Sequence, residues 1–295
     1  MSPMQQNQQF QLWLEGARPH TWANAFAPVI VGSGAAAAAG GFRFGFALLA
    51  AVVAWALIVG VNYANDYSDG IRGTDDDRSG PLRLTASGAF APQQVKAAAF
   101  VAFAVAGLAG VVLSLASRHA WLIVVGLVCV AAAWFYTGGS NPYGYAGLGE
   151  ASVFVFFGLV AVLGTQLTQA GVVTPVGWMC AVAVGSMSAA VNLANNIRDI
   201  PSDALAGKMT LAVRLGDKWA RVLWVVLMCI PFVTTLSLGG AFHGTLMAVA
   251  AVPFAAAAGL PIVKGATAKE LIPVLGLTGR AMLLWSLLTT IGLFV

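Results

Sequence analysis

Residues 44–69 read FGFALLAAVVAWALIVGVNYANDYSD, and this stretch decides the fold. Its first 18 residues carry no charge. That length suits a transmembrane α-helix, which needs about 20 apolar residues to cross a bilayer. The last eight residues then bring two asparagines and two aspartates. The stretch therefore predicts a membrane-spanning helix with an acidic end.

The rest of the chain repeats the apolar pattern. The 295 residues are 59% hydrophobic and 9% charged, with a mean hydropathy of +0.83, whereas a soluble domain carries about 25% charged residues. We predict an all-α fold, a polytopic membrane bundle of nine transmembrane helices embedded in membrane lipid. The nine spans are expected at 22–40, 44–64, 97–117, 119–137, 149–168, 175–194, 219–239, 242–262 and 276–294. Residues 1–18 form a polar N-terminal segment, and residues 19–295 form a single transmembrane domain.

The charged residues predict the orientation. Nine spans place all basic residues except Arg43 and Arg118 on the face of the N-terminus. Positive loops stay in the cytoplasm, so we expect a multi-pass protein of the bacterial cytoplasmic (inner) membrane, with its N-terminus inside and Val295 outside. The basic residues are scattered among loops, which argues against nucleic-acid binding. All eleven acidic residues fall on the same face, although topology does not require it. We expect a cation to bind there.

Two polar helix ends resemble each other, 130 residues apart. Superposed, they pair Asn62 with Asn192, Asn65 with Asn195, Asp66 with Asn196, and Asp69 with Asp199. This similarity indicates an internal pseudo-repeat, 44–145 and 175–280, with both copies directed at one centre.

The residue types at these ends suit a metal–diphosphate site. Residues at i, i+3 and i+4 share one helix face, so each end would present a row of oxygen atoms. Carboxylate and amide oxygens suit Mg²⁺, which is held by one or two carboxylates plus substrate phosphates. One row holds Asn62, Asp66 and Asp69, and the other holds Asn195, Asp199 and Asp203. Two such helix ends could hold two Mg²⁺ ions with a diphosphate between them. The expected diphosphate ligands are Asn65, Arg72, Arg78, Arg83, Asn195, Arg198 and Lys208. For Asp75–Asp77, a solvated surface loop is an equal alternative.

A third polar segment, 136–150, follows the fourth span on the same face. Its glycines, proline and tyrosines predict a tight loop. Its tyrosines could stack on or hydrogen-bond to an aromatic substrate, or they could form an interfacial aromatic belt. The candidate acceptor-pocket residues are Tyr136, Asn141, Tyr143, Tyr145 and Glu150.

These motifs resemble the UbiA superfamily of intramembrane aromatic prenyltransferases. The pattern Asn-x-x-Asn-Asp-x-x-Asp at 62–69 and Asp199-x-x-x-Asp203 carry the likeness. Residues 73–83, 136–150 and 195–216 are similar to the branch that acts on 1,4-dihydroxy-2-naphthoate. One departure is Gly73, where relatives that use 4-hydroxybenzoate carry a further aspartate.

The resemblance implies a nine-helix bundle with a cytoplasm-facing cavity and a lipid-open side for the isoprenoid. It also implies that the two acidic motifs bind Mg²⁺ and a polyprenyl diphosphate, with the metal ligands Asn62, Asp66, Asp69, Asp199 and Asp203. The catalytic residues would be Asp66, Asp69, Asp199, Asp203 and Lys208. The expected reaction prenylates 1,4-dihydroxy-2-naphthoate with loss of CO₂, giving demethylmenaquinone.

Two alternatives remain at this point. The acceptor could be homogentisate or 4-hydroxybenzoate. A cation or proton transporter could also use duplicated polar helices, but here the acids lie at span ends on one face only.

Overall fold

The computed structural model describes residues 3–73 and 83–295. Within these residues the regular secondary structure is entirely helical. The helices are α1 (Pro3–Gly16), α2 (Ala23–Ala38), α3 (Phe44–Arg72), α4 (Pro92–Ala116), α5 (Leu122–Phe135), α6 (Gly149–Ala170), α7 (Pro175–Arg198), α8 (Ile200–Leu205), α9 (Leu211–Gly239), α10 (His243–Val263) and α11 (Ile272–Phe294). The all-α prediction is therefore confirmed for the described residues.

Seven of the described helices are long and apolar enough to cross a membrane, namely α3, α4, α6, α7, α9, α10 and α11 with the turn before it. The predicted spans 22–40 and 119–137 coincide with shorter apolar helices, α2 and α5. A 3₁₀ turn, Pro19–Thr21, delays the start of α2, and Gly40 ends it with a φ of 73°. Helix α5 starts only at Leu122 and gives way to the glycine-containing loop after Tyr136.

Helix α3 runs two turns beyond its predicted span. It continues to Arg72 and ends at Gly73, whose φ of 73° fits glycine at a helix C-terminus. The acidic end of α3 is therefore helical, as its spacing predicted.

Helix α7 behaves differently. It ends at Arg198, and Asp199 has φ −96° and ψ 5°, outside the helical range. Pro201 lies in the first turn of α8, where it provides no backbone N–H and favours a helix start. Asp199 thus sits at a bend between two helices, whereas the spacing predicted one continuous face for Asn195, Asp199 and Asp203.

The buried apolar residues of the described chain form two clusters. One belongs mainly to α3, α4 and α5, and the other to α6, α7, α9, α10 and α11. Helix α2 contributes to both. Ala23, Ala27 and Val31 pack in the second cluster, and Ala25 and Val29 pack in the first. Alternate sides of α2 thus join the two halves of the bundle.

Candidate active site

A cavity of 630 Å³ lies between the helices. One end, here called the polar end, is lined by charged, imidazole and amide side chains. They come from the segment before α2, the first turn of α2, the ends of α3 and α7, and the loops that follow. They are Arg18, His20, Asn24, Asn62, Asn65, Asp69, Arg83, Asn192, Asn195, Asn196, Arg198 and Lys208. The remainder, here called the apolar arm, runs between α3, α4, α5 and α6.

The whole cavity, polar end and apolar arm together, is nearly as deep as the hydrocarbon core of a membrane. Along α3 the lining extends from Asp69 back to Ala50, which is 19 residues, or about 28 Å at the helical rise. The hydrocarbon core of a bilayer is about 30 Å thick. Ser114 and Thr168 also line the arm, but their hydroxyls donate to carbonyls of their own helices, Gly110 and Gly164, at 2.7 and 2.8 Å. The arm therefore suits an apolar occupant.

Asn62 connects α3 to the segment before α2. Its side-chain nitrogen donates to the carbonyl of Ala17 and to the hydroxyl of Thr21, each at 3.0 Å. Because both hydrogens of the amide are used, its orientation is fixed, and Oδ1 is the atom that can accept or coordinate. Asn62 lines the cavity.

Asn65 and Arg72 bind the loop that follows α5. Asn65 accepts a 2.8 Å hydrogen bond from the Thr137 hydroxyl. The Arg72 guanidinium donates to the backbone carbonyls of Thr137 and Gly139. Asn65 lines the cavity, whereas Arg72 is not among its lining residues. Arg72 thus fixes the loop, although the sequence suggested a diphosphate contact.

Asp66 is fully buried, and both carboxylate oxygens accept backbone hydrogen bonds. The donors are the N–H groups of Leu84 and Thr85, each at 2.9 Å. Asp66 is not among the residues that line the cavity. Its geometry is that of an anchor, since its two oxygens bind one buried and one half-buried backbone N–H group at the segment described from residue 83 onward.

Asp69, one turn further along α3, does line the cavity. Its Oδ1 accepts a 2.7 Å hydrogen bond from the Tyr145 hydroxyl. The ring of Tyr145 lies 5.3 Å from the Lys208 ammonium and 5.6 Å from the Arg72 guanidinium. Distances below about 6 Å favour cation–π attraction. Tyr145 therefore lies with the charged groups, where the sequence predicted an acceptor contact.

The end of α7 holds a buried ion pair between neighbours. Arg198 donates through Nε and Nη2 to both oxygens of Asp199, at 2.7 Å each, and Nη2 also donates to Asn195 at 2.7 Å. Arg198 and Asn195 line the cavity. The guanidinium is thus held at the cavity wall by its two neighbours.

Lys208 completes the polar end. Its ammonium lies 3.4 Å from Asp203 and lines the cavity. Asp203 itself is buried. The loop after α8 thereby brings a cation beside the second acidic pair.

The loop 136–148 and the start of α6 form the remaining wall. Tyr136 and Tyr143 line the cavity, and their hydroxyls donate to Asn192 at 3.4 Å and to the Ala132 carbonyl at 2.8 Å. Burial, reinforced by Glu150, raises the pKa of Tyr136, and burial raises the pKa of Tyr143. Both phenols therefore stay protonated as donors at neutral pH.

Two other predicted acceptor residues are not among those that line the cavity. Glu150 is buried behind the wall, where it accepts a 2.7 Å hydrogen bond from Asn196. Asn141 is exposed and is not among the residues that line the cavity.

A family model described as the UbiA prenyltransferase family matches residues 25–287, which include both acidic helix ends. The chain belongs to the UbiA prenyltransferase family. Among its relatives is a Mycobacterium tuberculosis protein named 1,4-dihydroxy-2-naphthoate octaprenyltransferase. It is 55% identical over 278 residues, covering 94% of this chain and 95% of the relative. An Escherichia coli protein of the same name is 37% identical over 302 residues, covering 99% of this chain and 97% of the relative.

The fold agrees with solved UbiA structures. A UbiA homolog from Archaeoglobus fulgidus, solved with GPP and Mg²⁺, superposes with a TM-score of 0.65 over 96% of this chain and 99% of that one. Sequence identity is 16%, so this likeness concerns the fold alone.

The polar end of this UbiA family member has a donor set suited to a hard cation. The carboxylate of Asp69 and the amide oxygens of Asn62 and Asn195 line it. The carboxylates of Asp199 and Asp203 are not among the lining groups, but they lie directly behind it, paired with the lining residues Arg198 and Lys208. In the described part of the chain, no three Asp, Glu, His or Cys side chains form a ready metal cluster. Mg²⁺ takes few protein carboxylates and completes its shell with water and phosphate oxygens.

The structure adds three residues that sequence reasoning missed. Arg18, His20 and Asn24 all line the polar end. Burial and the nearby Arg198 lower the pKa of His20. The sequence signal for this part of the site was Arg18, a lone basic residue before an apolar span. In the structure its φ is 52°, which is rare for a residue with a side chain.

Asn24 carries a buried oxygen that calls for a ligand. The residue is 7% exposed, and within residues 3–73 and 83–295 its Oδ1 has no hydrogen-bond partner. A buried acceptor without a partner is costly, so this atom suits a hydroxyl donor arriving in the cavity. Arg83 lines the polar end as predicted, whereas Arg78 and Asp75–Asp77 lie outside the described residues.

Proposed function

We propose that this protein transfers a polyprenyl chain from a polyprenyl diphosphate to 1,4-dihydroxy-2-naphthoate, with loss of CO₂, giving demethylmenaquinol, the hydroquinone form of demethylmenaquinone. The observation that carries the proposal is one cavity, about 28 Å deep along α3, that joins a cationic, oxygen-rich end to an apolar arm. Such a space fits a molecule with a charged head and a long hydrocarbon tail. The 55% identity to a mycobacterial protein of that activity supports the choice of acceptor.

The diphosphate is proposed to lie at the polar end with two Mg²⁺ ions. Asn62, Asp69, Asp199 and Asp203 would hold the metal, and bound Mg²⁺ would neutralise the charge on the departing diphosphate. Arg83, Arg198 and Lys208, which line the cavity, would contact phosphate oxygens. Asp66 would act indirectly, because its two oxygens hold Leu84 and Thr85 beside the site.

In the transfer, the bond between the allylic carbon and the diphosphate oxygen breaks, and a carbon–carbon bond to the naphthalene ring forms. The ring carbon that is attacked releases its carboxyl group as CO₂, and the electron pair of that bond restores the aromatic ring. The apolar arm keeps water from the developing allylic cation. Tyr136 and Asn24, both at the cavity wall, are proposed to hydrogen-bond to the acceptor.

The membrane arrangement is part of the same proposal. The two shorter apolar helices, α2 and α5, would join the seven longer ones to make nine spans. The polar end would face the cytoplasm of a bacterium, where diphosphate and Mg²⁺ are available, and Val295 would lie outside.

The decisive experiment uses the purified protein with Mg²⁺, a polyprenyl diphosphate and 1,4-dihydroxy-2-naphthoate labelled at the carboxyl carbon. Mass spectrometry should detect the prenylated naphthalene, and the label should leave as CO₂ in equal amount. Homogentisate and 4-hydroxybenzoate serve as competing acceptors. Product from either of these, with none from the naphthoate, would reject the proposed acceptor. No Mg²⁺-dependent release of diphosphate with any acceptor would reject the reaction class.

A further inference from the structure

We infer that three glycines, Gly107, Gly126 and Gly164, set how long an isoprenoid chain the apolar arm can hold. The inference rests on the proposed function, because it treats the arm as the seat of the donor's tail. Each glycine lies on a different helix, α4, α5 or α6, and each lines the cavity.

Each glycine sits at the centre of the helix face that forms the wall. On α4, Gly107 is followed at helical spacing by Gly110, Val111 and Ser114, which all line the cavity. On α5, Gly126 is followed by Cys129, Val130 and Ala133, which also line it. Residues at i, i+3, i+4 and i+7 share one face. A side chain added at either glycine would therefore point into the arm.

Gly164 occupies the same position on α6. The residues at its i−4, i−3, i+1 and i+4 positions line the cavity as well; they are Val160, Ala161, Thr165 and Thr168. Three helices that belong to different parts of the bundle thus each present a bare backbone to the same space.

The space beside these glycines is open. A Cβ atom built on Gly107, Gly126 or Gly164 meets nothing within 4 Å. The glycines are therefore not required for close helix packing, in contrast to Gly158 of α6, where a Cβ would approach Gly185 to 2.5 Å. Close helix packing therefore explains the glycine at position 158. At the three cavity positions, the missing side chain leaves additional space in the apolar arm.

The three glycines lie toward the far end of the arm from the charged groups. Gly107 is nine residues from the end of α4 at Ala116, Gly126 four from the start of α5 at Leu122, and Gly164 six from the end of α6 at Ala170. At 1.5 Å per residue these offsets are about 14, 6 and 9 Å. A donor whose diphosphate occupies the polar end would reach them only with the distal part of a long tail.

A leucine at one of these positions should shorten the arm and leave the polar end unchanged. Short donors would then react normally, and long donors would lose the place of their distal units. One methylene in an apolar pocket changes selectivity by roughly tenfold or more, so four added carbons should have at least that effect.

The test compares Gly126→Leu and Gly107→Leu with a matched control, Gly45→Leu. Gly45 is in the first turn of α3, is exposed, also has open space beside it, and is not among the cavity-lining residues. Donors are geranyl diphosphate and an octaprenyl diphosphate. In the two cavity variants the ratio of kcat/KM for the long donor to that for the short donor should fall at least about tenfold. In Gly45→Leu it should stay at the wild-type value.

A second readout does not depend on turnover. Octaprenyl diphosphate with Mg²⁺ should raise the unfolding temperature of the wild type and of Gly45→Leu, but raise that of Gly126→Leu less, while geranyl diphosphate should act equally on all three. An unchanged long-to-short ratio in active cavity variants, or equal stabilisation by the long donor, would overturn the inference and leave the proposed function intact. Failure of the wild type to transfer or bind either donor would instead reject the proposed function, and the inference with it.

Discussion

The hydroxyl of Tyr145 donates a 2.7 Å hydrogen bond to Oδ1 of Asp69, across 76 residues of sequence. The same tyrosine ring lies beside the ammonium of Lys208 and the guanidinium of Arg72. Tyr145 therefore links the acidic end of α3 to the cation that approaches Asp203. It is a positioning residue, which acts on the charged groups through their arrangement.

Replacing Tyr145 with phenylalanine should remove the hydrogen bond and keep the ring under the two cations. A hydrogen bond to a charged group is worth about 1.5–3 kcal/mol, so we expect kcat/KM to fall by roughly tenfold or more and the Mg²⁺ concentration for half-maximal activity to rise. Tyr143→Phe is the control, because that hydroxyl donates to a backbone carbonyl. An unchanged Mg²⁺ requirement in Tyr145→Phe would contradict the positioning role.

Asp66 and Asp69 should differ when each is replaced with asparagine. Asp66→Asn places an N–H₂ group against backbone N–H groups, so one buried donor loses its partner at a cost of about 1–3 kcal/mol. We expect a lower unfolding temperature together with lower activity. Asp69→Asn should keep the unfolding temperature within about a degree of the wild-type value, which corresponds to a few tenths of a kcal/mol. It should lose the prenyl-transfer activity. Thermal unfolding in detergent, measured beside product formation, separates the two; equal stability losses would refute the distinction.

Asp199→Asn should abolish turnover while the protein remains folded in the membrane. The substitution removes the charge that holds Arg198 in a bidentate pair and that would bind the metal. Asp217→Asn is the matched control, since Asp217 is exposed and pairs with Arg221 outside the cavity. The measurement is product formation at saturating substrates, with membrane insertion checked separately. Wild-type rates in Asp199→Asn would remove that residue from the proposed site.

Lys208→Gln should weaken binding of the diphosphate donor. Its ammonium lines the cavity, so we expect KM for the donor to rise roughly tenfold or more, by about the 1.5–3 kcal/mol of a hydrogen bond to a charged group, with little change in KM for the acceptor. Lys218→Gln supplies the comparison because Lys218 is exposed and is not among the lining residues. A rise confined to the acceptor KM would place Lys208 at the other substrate.

Asn24→Leu should weaken acceptor binding without lowering the stability of the protein, so the two effects can be separated. Since Oδ1 of Asn24 has no partner within the described residues, its replacement with an apolar group of similar size should be neutral or stabilising. We expect KM for the acceptor to rise several-fold at an equal or higher unfolding temperature. An unchanged acceptor KM would mean that another residue receives the naphthoate hydroxyl.

The structure brings some of the predicted site residues to one cavity. Asn62 and Asp69 on α3, and Asn195 on α7, line one cavity. Two sequence features indicated this placement. The i, i+3, i+4 periodicity follows from helix geometry, and the even number of predicted spans between the two helix ends follows from chain direction.

Other features depend on contacts between distant segments, which periodicity does not contain. The amides that take up both oxygens of Asp66 belong to Leu84 and Thr85, and the loop carbonyls that receive Arg72 follow α5. Tyr145 faces the charged groups because the turn Tyr143–Ala146 directs it there. The sequence placed Asp66, Arg72 and Tyr145 near the site, but their hydrogen-bond partners could not be assigned from it.

Helix α2 gives the bundle a mechanical property. Because its alternate sides are buried in both apolar clusters, rocking one half against the other would expose alanine and valine to lipid or water and open gaps in two packed cores. The cavity therefore keeps a fixed shape, with the polar end for the ionic groups and the apolar arm for the isoprenoid tail. A reaction between one water-soluble and one membrane-soluble molecule can proceed in such a cavity without alternating access. The protein then brings the two substrates together while its helices keep their arrangement.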